Sequence, residues 1–277
     1  MDKPAGPTSH DVVQRVRRAL GTRAAGHTGT LDPFATGLLV ILVGRATRLA
    51  RFVEAEAKTY LATVRLGFAT DTDDRTGTPL GPPADVAALD PAAVADAVAA
   101  LEGAQRQRPP RYSAKHVEGE RSYRLARRGV AVELAESAVV VHRIELLSSA
   151  LPELVFRATV SAGTYVRALA RDLGERLGVG GHLTALRREA IGVLRVEDAV
   201  PLGGIDASAL RPARAVLGHL PALELDEPGR AAVSHGRALL GEGVPPGDVA
   251  LTFGGELVAI ARAGDGWLRP SVVLGTP

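Results

Sequence analysis

Apolar and polar positions along this chain follow two periods, and the period changes at glycines and prolines. Val12, Val13, Val16 and Leu20 recur at helical spacing behind Thr8 and Ser9, either of which can cap the helix, and Gly21 stops it. The apolar run Leu38 to Val43 predicts a buried strand, broken by Gly44. Ala46 to Val53 reads as a short helix with Leu49, Phe52 and Val53 as its stripe. Lys58 to Leu66 alternates, which predicts a strand with Tyr60, Ala62, Val64 and Leu66 on one face. Ala84 to Leu101 is Ala-rich and reads as helical, with Asp90 capping its main part and Pro91 near N1. Ser122 to Arg128 reads as a short helix ending at Gly129. Val139 to Leu147 and Leu154 to Ser161 are strand-like. Thr164 is expected to cap a helix over Tyr165 to Leu177, ended by Gly178, Gly180 and Gly181. The run His182 to Arg188 then leads into Ile191 and Val193.

After Leu217 to Pro221 the composition shifts to short strands divided by Gly and Pro: Val249 to Phe253, Leu257 to Ala261 and Gly266 to Leu274. This predicts a small β-barrel module over 219–277 and a larger domain over 1–218, with the boundary near Gly218. A length of 277 residues suits one large domain plus one small one. No apolar run approaches the roughly 20 residues of a membrane span, and no signal-peptide pattern opens the chain. The sequence has no Cys, which removes disulfides, thiolate nucleophiles and Cys-ligated metals and fits a cytoplasmic protein.

The net charge of +2 hides an uneven distribution. Between Gln105 and Arg128, Arg106, Arg108, Arg111, Lys115, Arg121, Arg124, Arg127 and Arg128 face only Glu118 and Glu120. With Pro109, Pro110 and Tyr112, that segment reads as extended, exposed and suited to phosphate and base contacts in RNA, although any such run can also be a solvated face.

The densest cluster of turn formers is Gly26-His27-Thr28-Gly29-Thr30-Leu31-Asp32-Pro33-Phe34-Ala35-Thr36-Gly37. It predicts a rigid loop at a strand edge that aims Asp32 into a cleft or, equally, uses it to cap a turn before Pro33. Arg167 falls in the first turn of its helix, where a cation opposes the helix dipole unless a carboxylate meets it. Tyr60 is either a strand aromatic or a phenol at a pocket wall. Asp71 to Gly77 fails as an EF-hand, because Thr76 and Pro82 stand where the Gly and the bidentate Glu belong; it reads as a solvated acidic turn, ordered by arginines. The seven His show no metal-ligand spacing, and no phosphate-loop, nucleophile-elbow or dinucleotide fingerprint occurs.

Gly26 to Leu38 strongly resembles the catalytic loop of the TruB-type tRNA pseudouridine-55 synthases. Further motifs match in the family's order: Asp2-Lys3-Pro4; Lys58-Thr59-Tyr60; Arg65-Leu66-Gly67 with Asp71 to Asp74; Pro109-Pro110 with Tyr112-Ser113-Ala114; Gly163 to Arg167 with Asp172-Leu173-Gly174; and Leu186-Arg187-Arg188. Family members carry an apolar strand before the Asp-Lys-Pro opening, whereas this sequence starts at Met1-Asp2. That departure concerns a sheet edge and leaves the catalytic loop untouched.

The resemblance implies an α+β pseudouridine synthase fold, with a mixed, mainly antiparallel sheet flanked by helices and a PUA-like β-barrel at the C-terminus. It implies conversion of uridine 55 in the tRNA T-arm loop to pseudouridine, without cofactor or metal, by a cytoplasmic monomer needing no protein partner. Asp32 would be the nucleophile, attacking base or ribose, with Arg167 paired to it and Tyr60 packed on the base. Tyr165 and Leu186 would line the pocket. His27, otherwise a turn histidine, would fill the gap left by the flipped base. Lys3, Thr30, Asp74, Arg106 and Arg108 would bind substrate, the last two within the arm that grips the T-arm. An RNA-folding factor and a guide-RNA-dependent synthase are the competing readings.

Overall fold

The computed structural model describes residues 1–112, 116–117, 120–121 and 134–274. The expected helix over Ser122 to Arg128 lies outside them, as do the side chains of Lys115, Arg121, Arg124, Arg127 and Arg128. Two compact units are formed, one by Asp32–Leu38 with Glu56–Ile191, the other by Met1–Leu31, Leu39–Ala55 and Gly192–Pro277.

The first unit is a sheet with strand order Thr36–Leu38, Gly181–Ile191, Lys58–Leu66, Glu153–Val160, Ser137–Ala150 and Gly103–Gln107. The first of these pairings is parallel and the others are antiparallel, which is the mixed sheet expected. Lys58–Leu66 runs through the middle and buries alternate residues, Tyr60, Ala62, Val64 and Leu66 among them. The helix Val166–Arg176 packs on the 181–191 and 58–66 strands, and the helix Pro91–Ala99 packs on the 137–150 strand. Gly174 permits the first contact: a Cβ there would fall onto the backbone of Gly180 and Gly181.

The predicted helix over 84–101 shortens to Pro91–Ala99, capped by Asp90 through the Ala92 amide at 3.0 Å. The preceding residues commit their polar groups elsewhere. Ala84 N–H donates to Gly67 O at 2.7 Å, and the Asp85 carboxylate accepts from Ala87 N–H at 2.9 Å. The Leu38 to Val43 run divides: Thr36–Leu38 pairs with Gly181–Ile191, whereas Val40–Val43 pairs with Ala25–Thr28. Gly37 sits near the division at φ +101°, and a Cβ on it would strike the Arg188 backbone.

In the second unit, Thr8 caps the helix Ser9–Ala19 through a capping box with Asp11. Val13 and Val16 pack with Ala25, and Leu20, Ile41 and Val43 surround them. The C-terminal sheet has the order Ala222–Glu224, Gly247–Phe253, Glu256–Gly264, Trp267–Val273, Leu239–Leu240. Its core includes Val233, Val249, Leu251, Ala259, Ala261 and Leu268. Three strands were legible as short apolar runs, and the two short edge strands were not.

Candidate active site

Asp32 stands midway along the loop that follows the Ala25–Thr28 strand and precedes Thr36–Leu38, and the backbone is fixed at the preceding residue. Ser9, 2% exposed, donates its hydroxyl to Leu31 O at 3.0 Å and accepts from Leu31 N–H at 2.9 Å. Both main-chain groups before Asp32 are thereby satisfied inside the protein. On the other side, Ala35 N–H donates to Asp32 O at 3.1 Å. Thr8, rather than Ser9, caps the first helix, so Ser9 is left for this anchoring. Nothing in the sequence distinguished these two uses of a serine.

Arg167 closes on the Asp32 carboxylate with both arms of its fork. Its Nε lies 2.9 Å from Oδ2 and its Nη2 donates to Oδ1 at 3.2 Å. The remaining donors are also directed: Nη1 donates to Thr72 O at 3.0 Å, Nη2 to Tyr112 O at 2.9 Å, and Asp74 Oδ2 lies 3.5 Å from Nη1. The Arg167 side chain is 6% exposed and that of Asp32 31%. The cation is sealed behind a carboxylate that a substrate can reach. Two carboxylates answer the unfavourable place of Arg167 at a helix start.

The start of that helix is held differently from the expectation. Tyr165, not Thr164, is the N-cap, and its side chain makes no capping bond. Buried Gln107 grips it instead: Tyr165 N–H donates to Gln107 Oε1 at 2.8 Å, and Gln107 Nε2 donates to Tyr165 O at 3.1 Å. Thr164 Oγ1 lies 3.3 Å from Ser161 Oγ. Gln107 could not have been found by local pattern, because it comes from an edge strand 58 residues away.

The acidic turn is solvated only in part: Arg75 and Thr76 are exposed and Asp71 is half-buried, but Asp73 and Asp74 are 8% and 4% exposed. Arginines do order it. Asp74 accepts from the Thr72 and Thr76 hydroxyls at 2.9 and 2.6 Å and from Thr76 N–H at 2.9 Å. It therefore faces Arg167 rather than solvent. Asp73, at φ +60°, turns the other way, to Arg171 Nη1 at 3.1 Å. Burial pushes the Asp73 carboxyl up to about 6, outweighing the opposing pull of the Arg171 guanidinium.

Tyr60 and Leu186 share the helix-covered face of the sheet, each 8% exposed. Leu186 pairs with Ala62, and Arg188 with Tyr60. Tyr165 is half-buried beside Arg167, and Thr30 is exposed. His27 is half-buried in the Ala25–Thr28 strand, opposite Ile41. Lys3 is fully buried, and its Nζ donates to Pro4 O at 3.0 Å. Arg106 and Arg108 are exposed and paired with Glu136 at 3.0 Å and Glu175 at 3.7 Å. Gln107, Pro109 and Pro110 are buried, so this part of the basic segment is less exposed than expected. Among the described residues, no group of three or more His, Asp or Glu is arranged to hold a metal ion, and no helix is long and apolar enough to cross a membrane.

A family model for the TruB family pseudouridylate synthase N-terminal domain matches residues 17–166, and one for the tRNA pseudouridylate synthase B C-terminal domain matches 167–215. The chain is 46% identical to the tRNA pseudouridine synthase B of Thermobifida fusca over 99% of its own length and 96% of the relative's. It is 44% identical to that of Gloeobacter violaceus, over 100% of this chain and 98% of the relative. Among solved structures it superposes on an H/ACA RNP bound to a substrate RNA containing 2′-deoxyuridine. The TM-score is 0.76 at 26% identity, over 99% of this chain and 83% of the other. A Cbf5-Nop10-Gar1 complex follows at 0.72 and 30%, over 95% and 76%. The sealed Arg167–Asp32 pair lies across a region that both family models span together, and the fold is that of these structures. The chain belongs to the TruB family and is a tRNA pseudouridine synthase, an isomerase.

Proposed function

We propose that this enzyme isomerises uridine 55 in the T-arm loop of tRNA and that Asp32 is its nucleophile. The observation that carries the second part is the two-armed Arg167 fork on a carboxylate that remains one-third exposed. A nearby cation favours the ionised carboxylate, and two hydrogen bonds fix its direction. The reaction breaks the N1–C1′ bond, turns the uracil, and forms a C5–C1′ bond. C5 loses its proton and N1, freed from the ribose, gains one, so atoms and electrons balance without an oxidant or cofactor. Asp32 attacks either the base or the ribose carbon. Tyr60 packs on the target base and helps move the C5 proton, while Tyr165 and Leu186 line the pocket. A uridine within a folded loop must first be extruded, and His27 fills the vacated space. Arg106, Arg108 and Thr30 contact the RNA, and residues 219–277 form a PUA-like RNA-binding module. The identity to named tRNA pseudouridine synthases, 46% against 26% for the RNP-bound neighbour, favours a substrate read without a guide RNA.

The test is tritium release from [5-³H]uridine-labelled tRNA by purified protein in a chelator. Wild type is expected to release one tritium per tRNA, and a transcript with cytidine at position 55 none. Asp32→Asn is expected to bind tRNA and release nothing. Wild-type release by that variant would remove Asp32 from the chemistry.

A further inference from the structure

Arg171 lies one helical turn after Arg167 and has no part in the chemistry described above. Its side chain is 9% exposed, a costly place for a cation without partners. Its donors meet three groups. Nη1 donates to Asp73 Oδ2 at 3.1 Å, and Nε and Nη2 donate to Asp172 Oδ1 at 2.9 and 2.7 Å. Nη2 also donates to the main-chain carbonyl of Arg108 at 2.9 Å.

These contacts repeat those of Arg167 one turn along. Each arginine takes an acceptor from the acidic turn, Arg167 from Thr72 and Asp74, Arg171 from Asp73. Each also takes a carbonyl from the same stretch of main chain, Tyr112 and Arg108 respectively. Asp73, with a left-handed backbone at φ +60°, meets Arg171, and the next residue, Asp74, meets Arg167. Glu175 lies 3.8 Å from Arg171 Nε and 3.7 Å from Arg108 Nη2, which gives the 108 end a second tie.

We propose that Arg171 is a positioning residue for the pseudouridine reaction. By holding the Arg108 carbonyl and Asp73, it sets the stretch 108–112 and the acidic turn in the register that lets Tyr112 O and Thr72 O lock the Arg167 fork on Asp32. The inference rests on Asp32 being the nucleophile. A lysine at 171 retains the charge but presents one nitrogen, which cannot span three divergent acceptors. The stretch then shifts, the fork loosens, and misorientation of the reacting carboxylate slows chemistry more than binding.

The experiment compares Arg171→Lys and Asp172→Asn with wild type and Asp32→Asn. It measures single-turnover pseudouridine formation with enzyme in excess, tRNA affinity by filter binding, and the urea midpoint. Arg171→Lys is expected to lower the single-turnover rate about tenfold or more, with tRNA affinity within about twofold. Asp172→Asn retains an acceptor and is expected to give a smaller fall of about threefold, with a wild-type midpoint. Folded variants with wild-type rates overturn the proposal. So does a fall in rate matched by the loss of folded protein or by an equal loss of affinity. If Asp32→Asn itself retains full activity, the failure belongs to the assignment of the nucleophile and not to Arg171.

Discussion

A buried pair of arginines and a surface row of three both reach oxygen atoms elsewhere in the fold. Arg167 and Arg171 are buried and bind Tyr112 O and Arg108 O, with carboxylates on their remaining arms. Arg45, Arg48 and Arg51 are exposed, spaced three apart along Gly44–Leu49 and Ala50–Glu54. They reach Val273 O at 2.7 Å and Ser271 Oγ at 3.1 Å on the Trp267–Val273 strand, and Leu274 O at 3.0 Å just past its end. The hydrogen bonds are alike in length, but the surroundings differ. Water can replace any partner lost by the surface row, so each bond there contributes little. No such substitution is open to the buried pair, where removing one member strands a charge. Buried networks therefore favour one geometry, which the carboxylate proposed as nucleophile needs more than it needs stability.

The strongest way to break this contrast is Arg167→Ala. We expect turnover to fall by about a hundredfold to a thousandfold, with a smaller loss of tRNA affinity, because the role proposed for this arginine is on the nucleophile. Stranding Asp74, with 5% of its side chain exposed, is expected to cost about 3 kcal/mol in urea denaturation. A pure affinity defect would sink the assignment.

The next sharpens the cost of burial. The folded protein holds the Asp73 carboxyl up to about 6 against an ordinary 3.8, so between those values it binds the proton more tightly than the unfolded chain does. This contribution to stability is fully present below about pH 4 and is lost as pH rises through 6. Urea midpoints of wild type and Asp73→Asn from pH 4 to 7 check it. The wild-type advantage should shrink by on the order of 2 kcal/mol across that window. A constant difference would place the Asp73 carboxyl near its ordinary range.

The smallest effect belongs to the surface row. Arg48→Ala is expected to cost no more than about 1 kcal/mol and to leave tritium release unchanged. A loss of several kcal/mol would erase the distinction between the two groups.

Local physics made much of the molecule legible. The 58–66 strand, the Asp90 cap with Pro91, the first helix and the three long C-terminal strands all follow from periodicity and capping within a few residues. The misassigned 84–89 stretch failed for a nonlocal reason: its polar groups are taken by Gly67 O and by an Asp85 turn. At the site, sequence singled out Asp32 as a reactive carboxylate and Arg167 as a cation in need of one. Their pairing across 135 residues is tertiary. So are the anchoring of Leu31 by Ser9, the grip of Gln107 on the helix start and the burial of Lys3, Asp73 and Asp74. Side-chain period and caps are properties of neighbours along the chain, and the sequence carries them whole. Which charge is stranded and which is matched depends on what folding brings beside it, and only the assembled sheet and helix decide that.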